Sequence, residues 1–224
     1  MVDVSIIIPT LNEEAALPKT LRSLQALKEK GVEVIVVDGG SADNTVHCAE
    51  GLADAVINSP AGRAIQLNKG ATLAKGNMLL FLHADTLLPE GAVQSLLKIT
   101  RQQKVSWGRF DVQLDGSAIA FRVIEKMMNW RSCLTGIVTG DHAMFVSKGL
   151  FEQVGGYPPI ELMEDIAISK KLKKHSWPIC LEKSVITSSR RWENKGVLRT
   201  VLLMWRLRCA YYFNVSPAIL SKRY

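Results

Sequence analysis

No apolar run in this 224-residue chain reaches the roughly 18–20 residues that a membrane-spanning helix needs. The longest candidate, residues 197–213, is interrupted by Arg199, Arg206 and Arg208. The start of the chain lacks the positive charge of a signal peptide, since acidic Asp3 stands there and a strand-like run begins at once. The four cysteines, Cys48, Cys133, Cys180 and Cys209, form no C-x-x-C pair, which excludes the common zinc and thiol-redox motifs. Their spacing predicts a reduced chain with no disulfide framework. The expected location is therefore cytoplasmic. A G-x-G-x-x-G fingerprint is missing, which argues against a Rossmann dehydrogenase, and so is G-x-x-x-x-G-K-[ST], which argues against a P-loop NTPase. Internal repeats and low-complexity segments are absent as well.

Acid is scarce in one place only. From residue 187 to the end there are eight Lys or Arg and one acid, Glu193, whereas the preceding 186 residues hold 20 basic and 20 acidic side chains. The whole net charge of +7 thus sits on the last 38 residues. A tail of this kind seeks anionic headgroups or phosphates. What the chain does contain is ordinary globular material, 47% hydrophobic and 22% charged, enough for a substantial core in one domain. We divide that domain into residues 1–100, residues 101–190 and a basic amphipathic tail, 191–224.

Residues 1–100 alternate between two periodicities. Short apolar runs at 4–8, 34–37, 55–57 and 78–82 read as buried strands, and residues 14–28, 41–50 and 61–74 read as helices. Apolar strands separated by helices predict an α/β fold with a mostly parallel sheet covered on both faces. Further on, helices are expected at 89–100, 117–129, 148–154, 163–174 and 195–213, with strands at 107–114 and 142–146. In the last helix Leu198, Val201, Leu202, Trp205, Cys209, Tyr212 and Phe213 share one stripe. That stripe fits core packing, and it fits equally an interfacial helix with aromatics at headgroup depth between arginines.

In an open parallel sheet, ligands bind beyond the C-terminal strand ends. Three strand ends here are polar: Pro9-Thr10-Leu11-Asn12-Glu13-Glu14, Asp38-Gly39-Gly40-Ser41-Ala42-Asp43-Asn44-Thr45 and His83-Ala84-Asp85-Thr86. Asn12 and Asp43 serve equally well as helix caps, and Asp38-Gly39-Gly40 as a turn. His83 and Asp85, two apart at a strand end, offer an imidazole and a carboxylate to Mg2+ or Mn2+. Arg63 has the fork that matches phosphate oxygens. Glu164 and Asp165 open a helix, where the dipole favours acids and where a general base for a hydroxyl would also stand.

Taken together, these segments resemble the family 2 inverting glycosyltransferases, which have the GT-A fold. The resemblance rests on Ser5 to Glu14, on Val36 to Thr45, and on Leu82-His83-Ala84-Asp85-Thr86 in the place of that family's D-x-D element. It continues through Gly140-Asp141-His142-Ala143-Met144-Phe145, Gly155-Gly156-Tyr157 and the acidic pair Glu164-Asp165. It covers most of residues 4–175, and its spelling is most similar to a short subgroup that includes carotenoid and other lipid-associated glycosyltransferases. It implies a UDP- or GDP-sugar donor, a hydroxyl acceptor that is a small molecule or lipid-linked, and a divalent ion. It also implies roles by position. Pro9, Leu11 and Glu13 would line the nucleoside pocket, with Gly40 and Ala84 beside it. Asp38 would accept a hydrogen bond from the base, and Arg63 would lie by the diphosphate. Asp85 would bind the metal with His83, which replaces the first acid of D-x-D. Asp165 would be the base, with Glu164 next to it. His142 and, in Ser188-Ser189-Arg190-Arg191-Trp192, Arg191 and Trp192 would face the diphosphate or the acceptor, although the family's Gln is missing there.

Two rival classes remain. A nucleotidyltransferase that makes nucleotide sugars needs a Gly-rich basic loop after the first strand, and here that loop is acidic. A non-enzymatic module docking through the basic tail on nucleic acid or on the inner face of an anionic membrane leaves Asp38, Asp85 and Asp165 without a purpose. A nucleic-acid partner is not expected.

Overall fold

The computed structural model describes residues 2–28, 31–102 and 106–222, with backbone only at Lys28 and Arg191. Strand β1 (Val4–Thr10) leads through α1 (Leu17–Lys28) to β2 (Val32–Asp38), then through α2 (Thr45–Ala49) to β3 (Ala55–Asn58) and through α3 (Arg63–Leu73) to β4 (Met78–Phe81). Then follow α4 (Ala92–Gln102), β5 (Trp107–Leu114), α5 (Ile119–Thr135), β6 (Phe145–Ser147), α6 (Lys148–Gln153) and α7 (Glu164–Leu172). The chain ends with β7 (Ile179–Thr187), α8 (Arg190–Lys195), α9 (Val197–Tyr212) and α10 (Pro217–Ser221).

The strands form one seven-stranded sheet in the order β3-β2-β1-β4-β6-β5-β7. All are parallel except β6, which runs antiparallel to both of its neighbours. The expected α/β class and mostly parallel sheet are therefore present. Alternation along β1 explains how both faces are covered. Ile6 and Ile8 join Leu17, Leu21 and Leu24 of α1 in one apolar layer. Ile7 joins Ala64, Leu67 and Ala71 of α3 in the other. At roughly 25 cal/mol per Å2 of apolar surface removed from water, these two layers are the main source of stability.

The reversed strand has a positional effect. Because β6 alone is inverted, it begins at the edge where the six parallel strands end. The turn Gly140–His142 that leads into it therefore stands beside the three polar strand ends, and Phe81 N–H bonds the Met144 carbonyl at 2.9 Å.

Three local expectations need correction. Strand β7 was not foreseen: it is a sheet-edge strand, half exposed, and its Glu182 and Lys183 interrupt any apolar pattern. His142 belongs to the turn and not to the strand, which starts at Phe145. The predicted reduced chain is contradicted as well. Cys133, in the last turn of α5, is disulfide-bonded to Cys180 at the start of β7, across 47 residues of sequence. Only the fold brings the two together, so spacing carried no sign of the pairing. Cys48 and Cys209 are free. Among the described residues no helix is long and apolar enough to cross a membrane.

Thiol titration of the denatured, unreduced protein should find two reactive cysteines. Reduction should lower the denaturation midpoint of the wild type, with the loop-closure model allowing up to ~4 kcal/mol. The Cys133→Ala/Cys180→Ala double variant should not respond to reductant, and four free thiols in the wild type would refute the pairing.

Candidate active site

The first two strand-end loops are laced together by their own polar groups. Asn12, at φ +56°, bonds Ala42 N–H through its side chain at 2.8 Å and donates its own N–H to Ser41 Oγ at 2.8 Å. Glu13 N–H donates to Thr45 Oγ1 at 2.7 Å, and Glu14 N–H to Asp43 at 3.1 Å. The carboxylate of Glu14 returns the contact by accepting Asn44 N–H at 2.9 Å. Asn12 and Asp43 therefore brace loop against loop, and Asp43 also caps the start of α2 by accepting Thr45 N–H at 2.9 Å.

Asp38 is almost fully buried and spends both oxygens on the same loop. It accepts from Gly40 N–H at 2.9 Å, Ser41 N–H at 2.8 Å, Ser41 Oγ at 2.5 Å and Thr10 Oγ1 at 3.1 Å. Burial opposes its ionisation, but the hydrogen bonds led by Ser41 win and hold its pKa below the usual carboxylate value. A carboxylate has about four lone-pair sites, and all four are in use. Beside it, Gly40 sits at φ +92° with open space where a side chain would be, and Leu11 is half exposed. Pro9 is half-buried at the end of β1. Ala84 is buried, its carbonyl taken by Thr20 Oγ1 at 2.7 Å.

Gln66, which the motif reading passed over, ties the ends of β1 and β2. Its amide donates to the Thr10 and Val37 carbonyls, both at 2.8 Å, from the buried side of α3. Its signal was a polar residue at an apolar helix position, visible only once the helix face is known.

The centre of the site is Arg63, at the start of α3. Its guanidinium donates to His83 Nε2 and lies 3.5 Å from Glu164 Oε1. Burial works against Arg63, but Glu164, Asp165 and Asp141 outweigh it and raise its pKa. His83 is pulled down to about 3, first by burial and then by Arg63, so the imidazole is neutral and accepts from the arginine. Its other nitrogen, Nδ1, is 3.8 Å from Asp141. Glu164 is raised above the usual carboxylate range by burial, with Arg63 acting in the opposite direction.

Asp165, the next residue, turns outward from that pair. It accepts Gly140 N–H at 3.2 Å on one oxygen and Ile166 N–H at 2.7 Å on the other. Ser169, one turn along α7, fixes the helix to the turn segment by accepting from Val138 N–H and donating to its carbonyl, both at 3.1 Å.

Asp85 lies on the other side of His83, at 3.4 Å from Arg190 Nη2, which also reaches Glu13 at 3.7 Å. Burial and the charge of Asp85 raise Glu13. Arg190 was not singled out from the sequence. Its neighbour Arg191 was, and the side chain of Arg191 falls outside the described residues. Trp192 packs into the apolar cluster of Leu114, Phe121 and Ile124. His142 is fully buried, with Nδ1 3.2 Å from the Phe110 carbonyl.

No group of three His, Cys, Asp or Glu side chains that could cage a metal occurs among the described residues. The donor set nonetheless fits an ion of the Mg2+ or Mn2+ type, which commonly takes one or two carboxylates and completes its shell with substrate phosphates and water. Asp85 offers such a carboxylate, whereas the Nε2 of His83 is committed to Arg63.

A sequence profile described as "Glycosyl transferase family 2" matches residues 5–151. The chain belongs to glycosyltransferase family 2. A "PGL/p-HBAD biosynthesis glycosyltransferase" of Mycobacterium tuberculosis is 41% identical over 93 residues, 38% of this chain and 36% of the relative. A second glycosyltransferase of Mycobacterium tuberculosis is 32% identical over 164 residues, 69% of this chain and 62% of the relative. Among solved structures, a mannosyltransferase from Pyrobaculum calidifontis in complex with GDP-Man and Mn2+ has a similar fold, with TM-score 0.66 at 19% identity. That match covers 92% of this family 2 chain and 60% of the neighbour. TarS from S. aureus in complex with UDP-GlcNAc has TM-score 0.66 at 17% identity, over 84% of this chain and 58% of that one. The chain thus spans about a third to three fifths of the length of these proteins. The GT-A fold expected from the motifs is the fold shared with these neighbours.

Gly140 offers a direct test of this geometry. A Cβ there would land on the Arg63 guanidinium and the His83 ring, while the backbone itself does not require glycine. Gly140→Ala should leave the circular dichroism spectrum intact and lower activity on the order of a hundredfold, the scale of an ångström-level misplacement. Undiminished activity would show that the Arg63–His83–Gly140 contact is not part of the site.

Proposed function

We propose that this chain transfers a sugar, with inversion, from a nucleoside-diphosphate sugar to an acceptor hydroxyl. The observation that carries the reading is the meeting of Arg63, Glu164 and Asp165 at the mouth of the parallel sheet. Arg63, a cation for a departing diphosphate, pairs with Glu164, the sequence neighbour of the half-buried Asp165. A UDP- or GDP-sugar suits the acidic, laced loops between Pro9 and Thr45, and the UDP-GlcNAc and GDP-Man bound by the structural neighbours support that donor class. Asp38 organises the loop that receives the base, and Glu13 and Leu11 border the nucleoside.

Asp165 takes the proton from the acceptor hydroxyl as that oxygen attacks the anomeric carbon opposite the diphosphate. Gly140 N–H, bonded to one Asp165 oxygen, fixes its orientation. Glu164 keeps Arg63 in place, and Arg63 meets the negative charge that develops on the leaving group. Asp85 would hold a divalent ion, Mg2+ or Mn2+, together with the donor phosphates, and the ion would add Lewis-acid stabilisation of the leaving group. Arg190 bridges Asp85 and Glu13 and turns a second guanidinium toward the same phosphates.

The outer face of α9 supports a peripheral position on an anionic bilayer. Leu198, Leu202, Trp205, Tyr212 and Phe213 are all exposed, so most of this stripe does not pack in the core. Arg199 and Arg206 flank it, and the helix carries no acid. A second stripe went unread in the sequence: Ile119, Val123, Met127, Trp130 and Leu134 line an exposed face of α5, with Trp130 70% exposed. Apolar stripes beside cations match an anionic lipid surface, whereas a second copy of the chain would bring like charge against like.

Asp165→Asn should retain the thermal stabilisation given by nucleoside diphosphate with Mn2+ and lose transfer on the order of a hundredfold or more. Near-normal transfer would remove Asp165 from the role of base. Vesicles containing phosphatidylserine should pellet the wild type, with binding that weakens as salt is raised, and Leu202→Glu/Trp205→Glu should stay in the supernatant. Equal pelleting of both proteins, or a wild type that dimerises through this face, would count against docking on lipid.

A further inference from the structure

The mechanism above leaves a group of cations unused. Among the described residues, five buried side-chain polar atoms have no hydrogen-bond partner. Four of them belong to one neighbourhood: Arg109 Nε, Arg131 Nη2, Thr139 Oγ1 and His142 Nε2. Arg109 and His142 meet at the start of β5, where His142 Nδ1 contacts the Phe110 carbonyl. Arg109 reaches α5 by donating to the Asn129 carbonyl at 2.8 Å, two residues before Arg131. Thr139 and His142 belong to the same turn, joined by a backbone bond of 3.0 Å.

A further guanidinium, that of Arg208, comes from α9. It lies in electrostatic range of Arg131 and His142, and of Asp141 and Asp165. Arg109 has Asp111 as its ion-pair partner. Neither Arg131 nor Arg208 has a side-chain hydrogen bond or an ion pair among the described residues. Burial and then Arg208 pull the pKa of Arg131 down to about 10, against the opposing charges of Asp165 and Asp141. Asp165 and Asp141 oppose both charges at longer range, but two half-buried guanidiniums with no hydrogen bond or close ion pair are still costly. A fold that keeps them beside its candidate base has a reason outside pure stability.

We propose that Arg131 and Arg208, backed by Thr139 and His142, bind a phosphate-class oxyanion carried by the acceptor, with the acceptor hydroxyl held next to Asp165. The charge supports this choice, since a phosphate monoester carries close to −2 and meets two guanidiniums that make no hydrogen bond or close ion pair. So does the geometry, since donors arrive from α5, α9 and the 139–142 turn, more directions than the plane of a carboxylate accepts. The inference rests on the transferase reading, and it makes the acceptor a phosphorylated alcohol, either soluble or part of a lipid headgroup.

The test uses the full chain and inorganic phosphate without metal, at constant ionic strength, read by thermal shift. The wild type and Arg63→Gln should both show a Tm rise that saturates with phosphate. Arg131→Met and Arg208→Met, made separately, should each weaken that response on the order of tenfold or more. Both should keep the Tm rise given by nucleoside diphosphate with Mn2+. If the transferase reading itself is wrong, the nucleoside diphosphate response is missing in every protein while the phosphate response remains. Without phosphate, Arg208→Met should melt close to the wild type, because Arg208 makes no hydrogen bond or close ion pair, and a clear drop would assign Arg208 a structural role and overturn the site. No phosphate response in the wild type, or one that survives in both Met variants, would also overturn it. The source of the phosphate follows from competition. Vesicles containing phosphatidic acid that displace inorganic phosphate, where phosphatidylcholine vesicles do not, identify a lipid acceptor. Displacement by a soluble phosphate monoester alone identifies a free one.

Discussion

The structure turns on one cation that cannot be left alone. Arg63 stands at the head of α3, partly withdrawn from water, and three separate segments meet it. His83 comes from the end of β4, Gly140 from the turn before β6, and Glu164 and Asp165 from the head of α7. An unanswered guanidinium in this position would be costly, and breaking a buried pair usually costs more than making it gains. The charge therefore acts as a positional standard. Each of these segments has one arrangement that satisfies Arg63, and those arrangements together place Asp165 beside it and outward.

Most of the first-half strand ends could be read from the chain because their signals are local. The runs Ser5-Ile6-Ile7-Ile8 and Val34-Ile35-Val36-Val37 are strand-like in themselves, and the polar residues that follow must fall at strand ends. What could not be read there was the accounting of partners. Asp38 reads as a free acceptor until its four hydrogen bonds are seen, and Gln66 reads as a surface amide until α3 is oriented. The second half of the chain was harder for a physical reason. Strand β7 carries no clean alternation because it sits at the sheet edge, and its parallel partner β5 lies some 70 residues away. The disulfide of Cys133 to Cys180 and the pairing of Arg190 with Asp85 depend on that same long-range contact. Nothing in a window of fifteen residues reports it.

The inverted strand links the two sides. A fully parallel sheet would have carried the 139–144 turn to the opposite edge, far from Arg63. With β6 reversed, one short turn serves both halves of the site. Its Gly140 presses on Arg63 while its N–H holds Asp165, and its His142 lies in electrostatic range of the cations of α5 and α9. The charge asymmetry of the sequence takes on a meaning in this setting. The basic tail is not a loose appendage, since Arg190 and Arg208 bring its charge to opposite sides of the site.

Helix α9 presents Trp205 to the outside and Arg208, three residues later, toward Asp165. A rigid rod cannot shift one of these without the other. Whatever the outer face adheres to also sets the height of a cation above the candidate base, so a surface that grips the helix acts as a mechanical adjustment of the site. Replacing the exposed aromatics to make the protein better behaved in solution would disturb that adjustment. The variant that purifies best would be a poor guide to how the native chain behaves.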